Sequence, residues 1–216
     1  MKYTASSVLE DLQPYIGSDV LKRLLANRHI CYDIEGHGYL LSFYALSIRQ
    51  LQRKEQRVAI YLDRESVFCV TKDEQIQQLF SLCTESGDSV RMLFEFFMRL
   101  TAEDVDTLEQ FEERITNLED HLLTEHHSNE ESSRVIISIR RELLRLKRYY
   151  EQLGIVISNL ADDETAFFTD EEQKRFLAVS RRMDRLLESV LHLREYITPI
   201  KRKSILIKTI SCAFLP

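Results

Sequence analysis

The sequence contains few residues that interrupt helices and few that could cross-link a fold. Glycine occurs five times and proline three times in 216 residues, which fits long uninterrupted helices. The four cysteines, at positions 31, 69, 83 and 212, form no C-x-x-C pair, so neither a zinc knuckle nor a redox motif is indicated. We expect reduced thiols in a cytosolic compartment.

An excess of positive charge and a long apolar run are also missing. The formal net charge of −6 argues against general nucleic-acid binding, which needs a basic surface. The N-terminus has no apolar segment of the kind found in secretory signals. No stretch reaches the roughly 18–20 apolar residues that span a bilayer. The nearest one, residues 204–216, is short and is interrupted by Lys208.

The signatures of common enzyme sites are missing as well. The sequence has no glycine-rich phosphate loop, no G-x-S-x-G turn around a nucleophilic serine and no H-E-x-x-H metal motif. The sequence therefore predicts that the protein is not an enzyme.

What the sequence does contain is three long heptad patterns in its second half. Apolar residues recur there at intervals of three or four, which keeps one side of a helix apolar and lets neighbouring helices interlock. The three sets are Leu108, Phe111, Ile115, Leu118 and Leu122; Ile136, Ile139, Leu143, Leu146, Tyr150, Leu153, Ile157 and Leu160; and Phe176, Val179, Met183, Leu186, Val190, Leu193, Ile197 and Ile200. We call these sets the seams.

The first part of the chain has a different period. Residues 6–13 and 18–26 read as two short helices separated by Pro14. Residues 28–71 alternate between apolar and polar positions and contain two turns, which predicts two antiparallel hairpins with four strands in all. A helix over 73–84 and the helices of residues 6–26 are expected to cover this sheet, because an isolated hairpin is only marginally stable.

The long helices complete the predicted architecture. One helix is expected over 89–124, its apolar front half packing on the sheet and its acidic rear half projecting away. Short connections follow it, so consecutive long helices should run antiparallel. Capping boxes are expected at Thr71 with Glu74 and at Thr169 with Glu172, which would begin two further helices.

The predicted fold class is thus α+β, with an α/β head whose small antiparallel or mixed sheet is covered by helices and followed by long coiled-coil-like helices. Three domains are expected: the head over 1–88, a long-helix hairpin with a stalk helix over 89–200, and a basic segment with an apolar tail over 201–216.

Several segments are similar, in order, to the elements of one known family. The acidic segment LEQFEERITNLEDHLL, residues 108–123, resembles an acidic helix of the CorA family of divalent-cation transporters, and RRELLRLKRYYEQL, residues 140–153, resembles the next one. LHLREYI, residues 191–197, is similar to the stalk helix, and KTISCAFLP, residues 208–216, to the start of the first membrane helix. Upstream, residues 28–43 resemble two strands of the family's cytoplasmic domain, so the resemblance extends in order over roughly residues 28–216.

The resemblance implies an α/β cytoplasmic domain, a stalk helix and two membrane helices, with five subunits around one pore. The family's Gly-Met-Asn signature is not present before the sequence ends at Pro216. We therefore expect the cation-sensing cytoplasmic part of a magnesium or other divalent-cation transporter, unable to conduct ions alone. Self-association is expected, and membrane contact only through the missing helices. The family implies the cytoplasmic face of the cell membrane, and we expect this chain itself to be soluble.

The candidate metal residues follow from the same resemblance, which places a regulatory divalent cation between a head carboxylate and a stalk carboxylate of neighbouring subunits. Asp11 matches the head residue by its local sequence, whereas Asp19 fits better by its distance to the following strand, and the choice stays open. The matching stalk position is Ala178, which has no ligand atoms, and Asp184 lies on another part of that helix. A weakened regulatory site is therefore expected.

Other charged groups have less specific interpretations. The acidic residues of the first long helix are expected to form a solvated helix face. The resemblance implies two alternatives: they gather hydrated cations weakly, or they pair with Arg140, Arg141 and their basic neighbours on the next helix. Asp162 and Asp163 are expected to be exposed loop acids, since the loop lacks the spacing of a calcium site. The alternative function is that of a free-standing helical interaction or structural protein derived from the CorA fold.

Overall fold

A computed structural model describes residues 2–27, 29–84, 87–124 and 130–213. The chain forms two compact units. Unit 1 consists of Met1–Ala102 with Tyr149–Asp184, and unit 2 consists of Glu103–Arg148 with Arg185–Pro216. The division into domains at residues 88 and 200 stays a prediction.

Unit 1 contains a mixed sheet of five strands in the order β1-β5-β4-β3-β2. The strands are β1 (Lys2–Ser6), β2 (Ile30–Asp33), β3 (Gly38–Ala45), β4 (Gln56–Asp63) and β5 (Ser66–Thr71). The pairs β2–β3 and β4–β5 are the two predicted antiparallel hairpins, and β3 also pairs with β4 in antiparallel register. The predicted class of a mixed sheet covered by helices is confirmed.

The N-terminal segment is the main departure from the predicted sheet. Residues 2–6 form β1, which pairs in parallel with β5 from Lys2 opposite Ser66 to Ser6 opposite Val70. The helix predicted over 6–13 is therefore wrong, and only a single 3₁₀ turn, Leu9–Leu12, precedes the next helix. The strand was missed because its pairing partner lies about sixty residues later in the sequence, beyond any local pattern.

Helix α1 (Gln13–Ala26) covers one face of the sheet. Pro14 lies in its first turn, where a missing N–H costs little, and the interruption occurs instead at Gly17 (φ 71°, ψ 167°), a conformation that glycine adopts readily. The core on this face consists of Leu12, Ile16, Leu21, Leu24, Leu40, Ala59, Tyr61, Phe68 and Val70. Full burial of each large apolar side chain contributes roughly 1.5–3 kcal/mol.

Helices α2 (Glu74–Ser81) and α3 (Ser89–Leu100) lie on unit 1 as well. The ring of Phe97 on α3 packs 5.9 Å from that of Phe43 on β3, and Phe96 packs 4.5 Å from Phe80 on α2. These contacts bury the front half of the predicted long helix against the sheet, as expected. The cap of α2 is Asp73, whose carboxylate accepts from the N–H groups of Gln75 and Ile76, so the predicted Thr71–Glu74 box is wrong.

The predicted single helix over 89–124 is also wrong, because α3 ends at Leu100 and α4 (Asp104–Thr124) begins four residues later. Thr101 marks the break. Its hydroxyl donates to the Phe97 carbonyl at 3.1 Å, and the Arg182 guanidinium donates to both the Thr101 hydroxyl and the Thr101 carbonyl, at 3.2 and 2.6 Å. The carbonyl groups at the end of a helix lack the N–H donors that a further turn would supply. Here the Arg182 guanidinium donates to one of them instead.

Helices α5 (Glu130–Ala161) and α6 (Asp170–Ala213) carry the second and third seams. Every seam residue whose side chain is described is buried, none with more than 8% exposure, so the seam assignment is confirmed. The side chain of Ile200 lies outside the described part. Within unit 2, residues 105–112 border 186–193, and Glu119 accepts from the Tyr196 hydroxyl. Helices α4 and α6 therefore run in the same direction. This agrees with the predicted order, in which each long helix runs antiparallel to the one before it.

Across the described residues, none of the helices is both long enough and apolar enough to cross a bilayer.

Candidate functional site

Both candidate metal carboxylates lie on the surface of unit 1. Asp11, in the 3₁₀ turn, accepts a hydrogen bond of 2.5 Å from the Ser6 hydroxyl. Asp19, on α1, forms an ion pair of 3.1 Å with Lys22, and its side chain is 92% exposed. Ala178 and Asp184 are exposed on α6. No group of three or more potential metal-ligating side chains occurs among the residues that the structure describes, so Asp11 and Asp19 stay predictions.

The loop between α5 and α6 contains an extensive polar network, and Asp163 is its centre. The Asp163 carboxylate accepts from the Tyr39 hydroxyl at 2.5 Å, from the N–H and hydroxyl of Thr165 at 2.9 and 2.6 Å, and from the Phe168 N–H at 2.8 Å. Its main-chain carbonyl accepts from the Gln173 side-chain amide at 2.7 Å. Asp163 is half-buried, so the expectation of an exposed loop acid is wrong for it, whereas Asp162 is exposed as expected.

These hydrogen bonds, together with burial, shift the pKa values of the ionisable side chains in the network. Burial alone would raise the pKa of Asp163, but donation from Thr165, Tyr39 and Phe168 outweighs it and holds the pKa below the ordinary 3.8. Burial, then the bond to Asp163, raises the pKa of the Tyr39 hydroxyl. Burial also raises the pKa of the neighbouring Cys31 thiol to about 12, with Asp163 adding to it. Cys31 is therefore a neutral thiol at neutral pH.

A second polar contact joins the same loop to the turn between β4 and β5. The Arg64 guanidinium binds both carboxylate oxygens of Glu172, the closer at 2.9 Å, and donates to the Phe167 carbonyl. It also lies over the Phe167 ring, 4.8 Å from its centre. Glu172 accepts from the Thr169 N–H at 2.8 Å, and its own N–H donates to the Thr169 hydroxyl at 3.3 Å. The predicted capping box of α6 is confirmed, and Arg64 extends it to the sheet.

Aromatic rings fill the space beneath these bonds. The Tyr39 ring lies 5.6 Å from the Phe167 ring and 5.1 Å from the Phe168 ring, and Phe168 lies 5.1 Å from Phe176 on α6. Both loop phenylalanines are buried. We call the set Tyr39, Arg64, Asp163, Phe167 and Glu172 the loop clamp. It fixes the start of α6 to one end of the sheet through charge-assisted hydrogen bonds and apolar packing.

Helix α5 is attached to the sheet separately, by Gln152. Its amide accepts from the Tyr44 N–H at 3.0 Å and donates to the Tyr44 carbonyl at 2.6 Å. Strand β2 pairs with β3 only as far as Ser42, so these main-chain groups lie beyond the end of β2. A side-chain amide has both N–H donors and an acceptor oxygen, so here it can bond the main chain of β3 as a neighbouring strand would.

Unit 2 has an acidic groove between α4 and α6. Its volume is about 360 Å³, and its polar lining includes Glu109, Glu112, Glu188 and His192, with leucines below. A separate ion pair of 3.1 Å joins Arg114 on α4 to Glu142 on α5. In this pair α4 supplies the basic residue, whereas the prediction had α4 supply the acidic residues and α5 the basic ones. Glu109, Glu112 and Glu188 are exposed to solvent.

The fold and its contacts can now be compared with known proteins. The family model described as CorA-like Mg2+ transporter protein matches residues 6–203. The chain belongs to the CorA-like Mg²⁺ transporter family. The resemblance inferred from the sequence is thereby confirmed, and the match begins earlier than the expected residue 28.

Relatives and solved structures agree with this assignment. The chain is 24% identical over 163 residues to the zinc transport protein ZntB of Enterobacter sp. (strain 638), an alignment that covers 72% of this chain and 49% of the relative. The chain thus spans about half the length of the curated relatives it matches.

Two solved structures share the fold at low identity. The soluble domain of CorA from Methanocaldococcus jannaschii matches with a TM-score of 0.72 and 18% identity, covering 92% of this chain and 83% of that one. The ZntB cytoplasmic domain from Vibrio parahaemolyticus matches with a TM-score of 0.70 and 12% identity, covering 94% and 82%. The fold is therefore that of a CorA/ZntB-type domain, in a family of transporters and not of enzymes.

The sequence analysis missed Tyr39, Arg64 and Phe167 of the loop clamp, the bonds that Asp163 makes within it, and Gln152. One local signal was available, because Asp163 followed two positions later by Thr165 is typical of a side chain that bonds its own loop. The partners Tyr39 and Arg64 lie about a hundred residues earlier, and no pattern in a single sequence links them to the loop.

Proposed function

We propose that the chain forms the cation-sensing cytoplasmic region of a CorA/ZntB-type divalent metal-ion transporter. Membership of the CorA-like family over residues 6–203 is the observation that carries this proposal. Ion conduction is assigned to a part of the transporter outside these residues, and the chain is proposed to lie at the cytoplasmic face of the cell membrane without conducting ions itself.

Sensing is proposed to occur between copies of the chain. A divalent cation such as Mg²⁺ takes carboxylate ligands while keeping much of its water, so one or two carboxylates per copy suffice. Asp11 and Asp19 are both exposed and so accessible to a second copy. A cation that binds only the assembled arrangement stabilises it, and the assembled state then becomes dependent on cation concentration.

The loop clamp supports the mechanical side of the proposal. Through Tyr39–Asp163 and Arg64–Glu172, the end of the sheet is joined to the first turn of α6, and Gln152 joins α5 to β3. A displacement of the sheet by a cation bound at the head would therefore move the start of α6 with it. Rigid attachment of this kind is what a domain needs to pass a binding event to a helix.

Thermal unfolding of the full chain tests the proposal. With free Mg²⁺ or Zn²⁺ at about a hundred times its dissociation constant, linkage predicts about 2.7 kcal/mol of stabilisation, a rise of several degrees in Tm. Sodium chloride of equal ionic strength is the control and should leave Tm unchanged. A Tm that is the same in divalent and monovalent salt would contradict cation sensing.

Single variants assign the carboxylate. Asp11→Asn or Asp19→Asn, whichever is the ligand, should remove the cation-dependent rise in Tm, and Glu10→Gln, an exposed neighbour with the same loss of charge, should retain it. Asp11 also accepts a hydrogen bond from the Ser6 hydroxyl, so its substitution changes Tm even without cation. The measured quantity is therefore the difference in Tm with and without cation. An undiminished rise in both variants and in their double variant would exclude these residues.

Ala178 offers a test by gain of function. Ala178→Asp restores a carboxylate at an exposed position of α6 that matches the family's stalk ligand, so the stabilisation by Mg²⁺ should become larger or occur at lower concentration. The matched control is Leu177→Asp, which adds the same charge one residue away on another side of the helix. Equal effects of the two variants would show that position 178 has no special role.

If the chain associates with itself but shows no response to cations, the alternative of a helical interaction protein is favoured.

A direct test of conduction uses the purified chain and vesicles loaded with a Mg²⁺ indicator. Flux above that of protein-free vesicles would contradict the assignment of conduction to another part of the transporter.

A further inference from the structure

A second groove of unit 2 has the opposite charge to the acidic one. It lies between α5 and α6 and has a volume of about 330 Å³. Its lining residues are Ile137, Arg140, Arg141, Leu144, Arg194 and Thr198. We call it the arginine groove. Three arginines converge on one small concavity of a chain whose net charge is −6.

The sequence provides no intrahelical counter-charge for these arginines. Ion pairs along a helix join residues three or four apart. At those distances Arg140, Arg141 and Arg194 have only aliphatic residues, serine, threonine or another arginine. Within the described part of the chain, none of the three takes part in an ion pair.

Other arginines of the chain do find carboxylates. Arg91 pairs with Glu95 and Arg175 with Glu171 along their helices. Arg114 reaches across to Glu142 at 3.1 Å, which also accepts from Ser138 at 2.8 Å. The carboxylate that follows Arg141 in sequence is thus already engaged. The carboxylate next to Arg194 is that of Glu195, which is exposed and is not among the groove residues.

The chemistry of the groove favours a phosphorylated ligand. Guanidinium groups present paired N–H donors that match phosphate oxygens, and a phosphoryl group offers several charged acceptors at once. Two aliphatic side chains of the groove, Ile137 and Leu144, are 46% and 36% exposed and provide apolar surface beside the charges. Three arginines at one place, without an ion pair to any described residue, also raise the local concentration of a multivalent anion.

We propose that the arginine groove binds the phosphoryl group of a small phosphorylated molecule or of a lipid head group, with the apolar part of the ligand against Ile137 and Leu144. The ligand contacts both α5 and α6 and so holds the two helices together through arginines that form no ion pair among the described residues. This inference does not depend on cation sensing, and either can fail without the other.

Two experiments distinguish a small phosphorylated molecule from a lipid head group. The first is calorimetric titration of the full chain with inorganic pyrophosphate. The second is sedimentation of the chain with vesicles of phosphatidylcholine, with or without phosphatidylglycerol. The variants are Arg140→Gln with Arg141→Gln, and Arg194→Gln. The control is Arg185→Gln on the same helix, which removes the same charge outside the groove and has Glu188 three residues later. Far-UV circular dichroism confirms that these surface changes leave the fold intact.

The proposal predicts pyrophosphate affinity that falls about tenfold or more in each groove variant and stays near wild type in the control. Binding only to the phosphatidylglycerol vesicles, with the same dependence on the three arginines, identifies the lipid head group as the source. Binding to neither probe overturns the proposal, as does an equal loss in Arg185→Gln, which indicates unspecific charge. Self-association that is lost in the groove variants, without any anion binding, overturns it in favour of a second copy of the chain.

Discussion

The hydroxyl of Tyr39, at the start of β3, donates a 2.5 Å hydrogen bond to the carboxylate of Asp163, 124 residues later in the chain. Asp163 also accepts from three groups of its own loop. A single carboxylate thus shapes the connection between α5 and α6 and binds it to the sheet. The proposed passage of a signal from the head to α6 depends on this pair.

Removal of the Tyr39 hydroxyl tests the contribution of that bond. Tyr39→Phe keeps the ring contacts with Phe167 and Phe168 but removes the donor to a charged group, so the free energy of unfolding should fall by about 1.5–3 kcal/mol. The measurement is urea unfolding at neutral pH. Tyr32→Phe, the same chemical change on neighbouring β2, should stay within about 0.5 kcal/mol of wild type. Equal stability of Tyr39→Phe and wild type would show that the bond contributes nothing.

The loop clamp should also make stability depend on pH in the acid range. The folded state lowers the pKa of Asp163 and Glu172 below the ordinary 3.8 and 4.5. Their contribution is therefore complete above those ordinary values and is lost as the pH falls through the lower folded-state values. Asp163→Asn should be clearly less stable than wild type at neutral pH, and the difference should shrink with acidification.

The measurement is urea unfolding of both proteins over a series of pH values from neutral down through the range of those ordinary pKa values. Asp162→Asn, a change at the exposed neighbour outside the clamp, should reproduce the wild-type pH profile. A difference between wild type and Asp163→Asn that is the same at all pH values would contradict the assigned direction of the shift.

Gln152 should be important for attaching α5 to the sheet. Gln152→Ala leaves the N–H and carbonyl of Tyr44 without their partner, and the loss of a partner for partly buried main-chain groups costs about 1–3 kcal/mol. Gln110→Ala, at an exposed position of α4, is the control and should be neutral or slightly stabilising because alanine favours helices. If water replaces the amide fully, the two variants will unfold at the same denaturant concentration.

The seams are tested by two adjacent residues of α6. Val190 is completely buried, whereas the side chain of Leu191 is 37% exposed. Val190→Asp buries an unpaired charge and should cost about 3–5 kcal/mol, and Leu146→Asp on α5 should behave alike. Leu191→Asp should cost far less in the same thermal unfolding experiment. A cooperative transition of Val190→Asp at the wild-type temperature would mean that the helices do not pack along these seams.

The parts of the fold that a sequence can predict are those with a local period. The seams repeat every three or four residues, and the hairpins alternate every two, so each segment carries its own evidence. The structure confirms both. The break between α3 and α4 has no such signal, because Thr101 and its neighbours are ordinary helix residues and the interruption depends on Arg182, eighty residues later.

The candidate site shows the same limit. The capping box of Thr169 and Glu172 was predictable because both residues belong to one turn. The contacts of Glu172 with Arg64 and of Asp163 with Tyr39 required the fold to be known. In the proposed mechanism the choice between Asp11 and Asp19 depends on contacts between copies of the chain, and such contacts leave no local pattern in one sequence.

The central claim, that copies of this chain bind divalent cations between them, is tested most directly by sedimentation equilibrium of the full chain over a range of free Mg²⁺ and Zn²⁺ concentrations. The account predicts a saturable increase in average mass with at least one of these cations, reversed by a chelator and absent in sodium chloride of equal ionic strength. An average mass that stays constant across both cation series would contradict it.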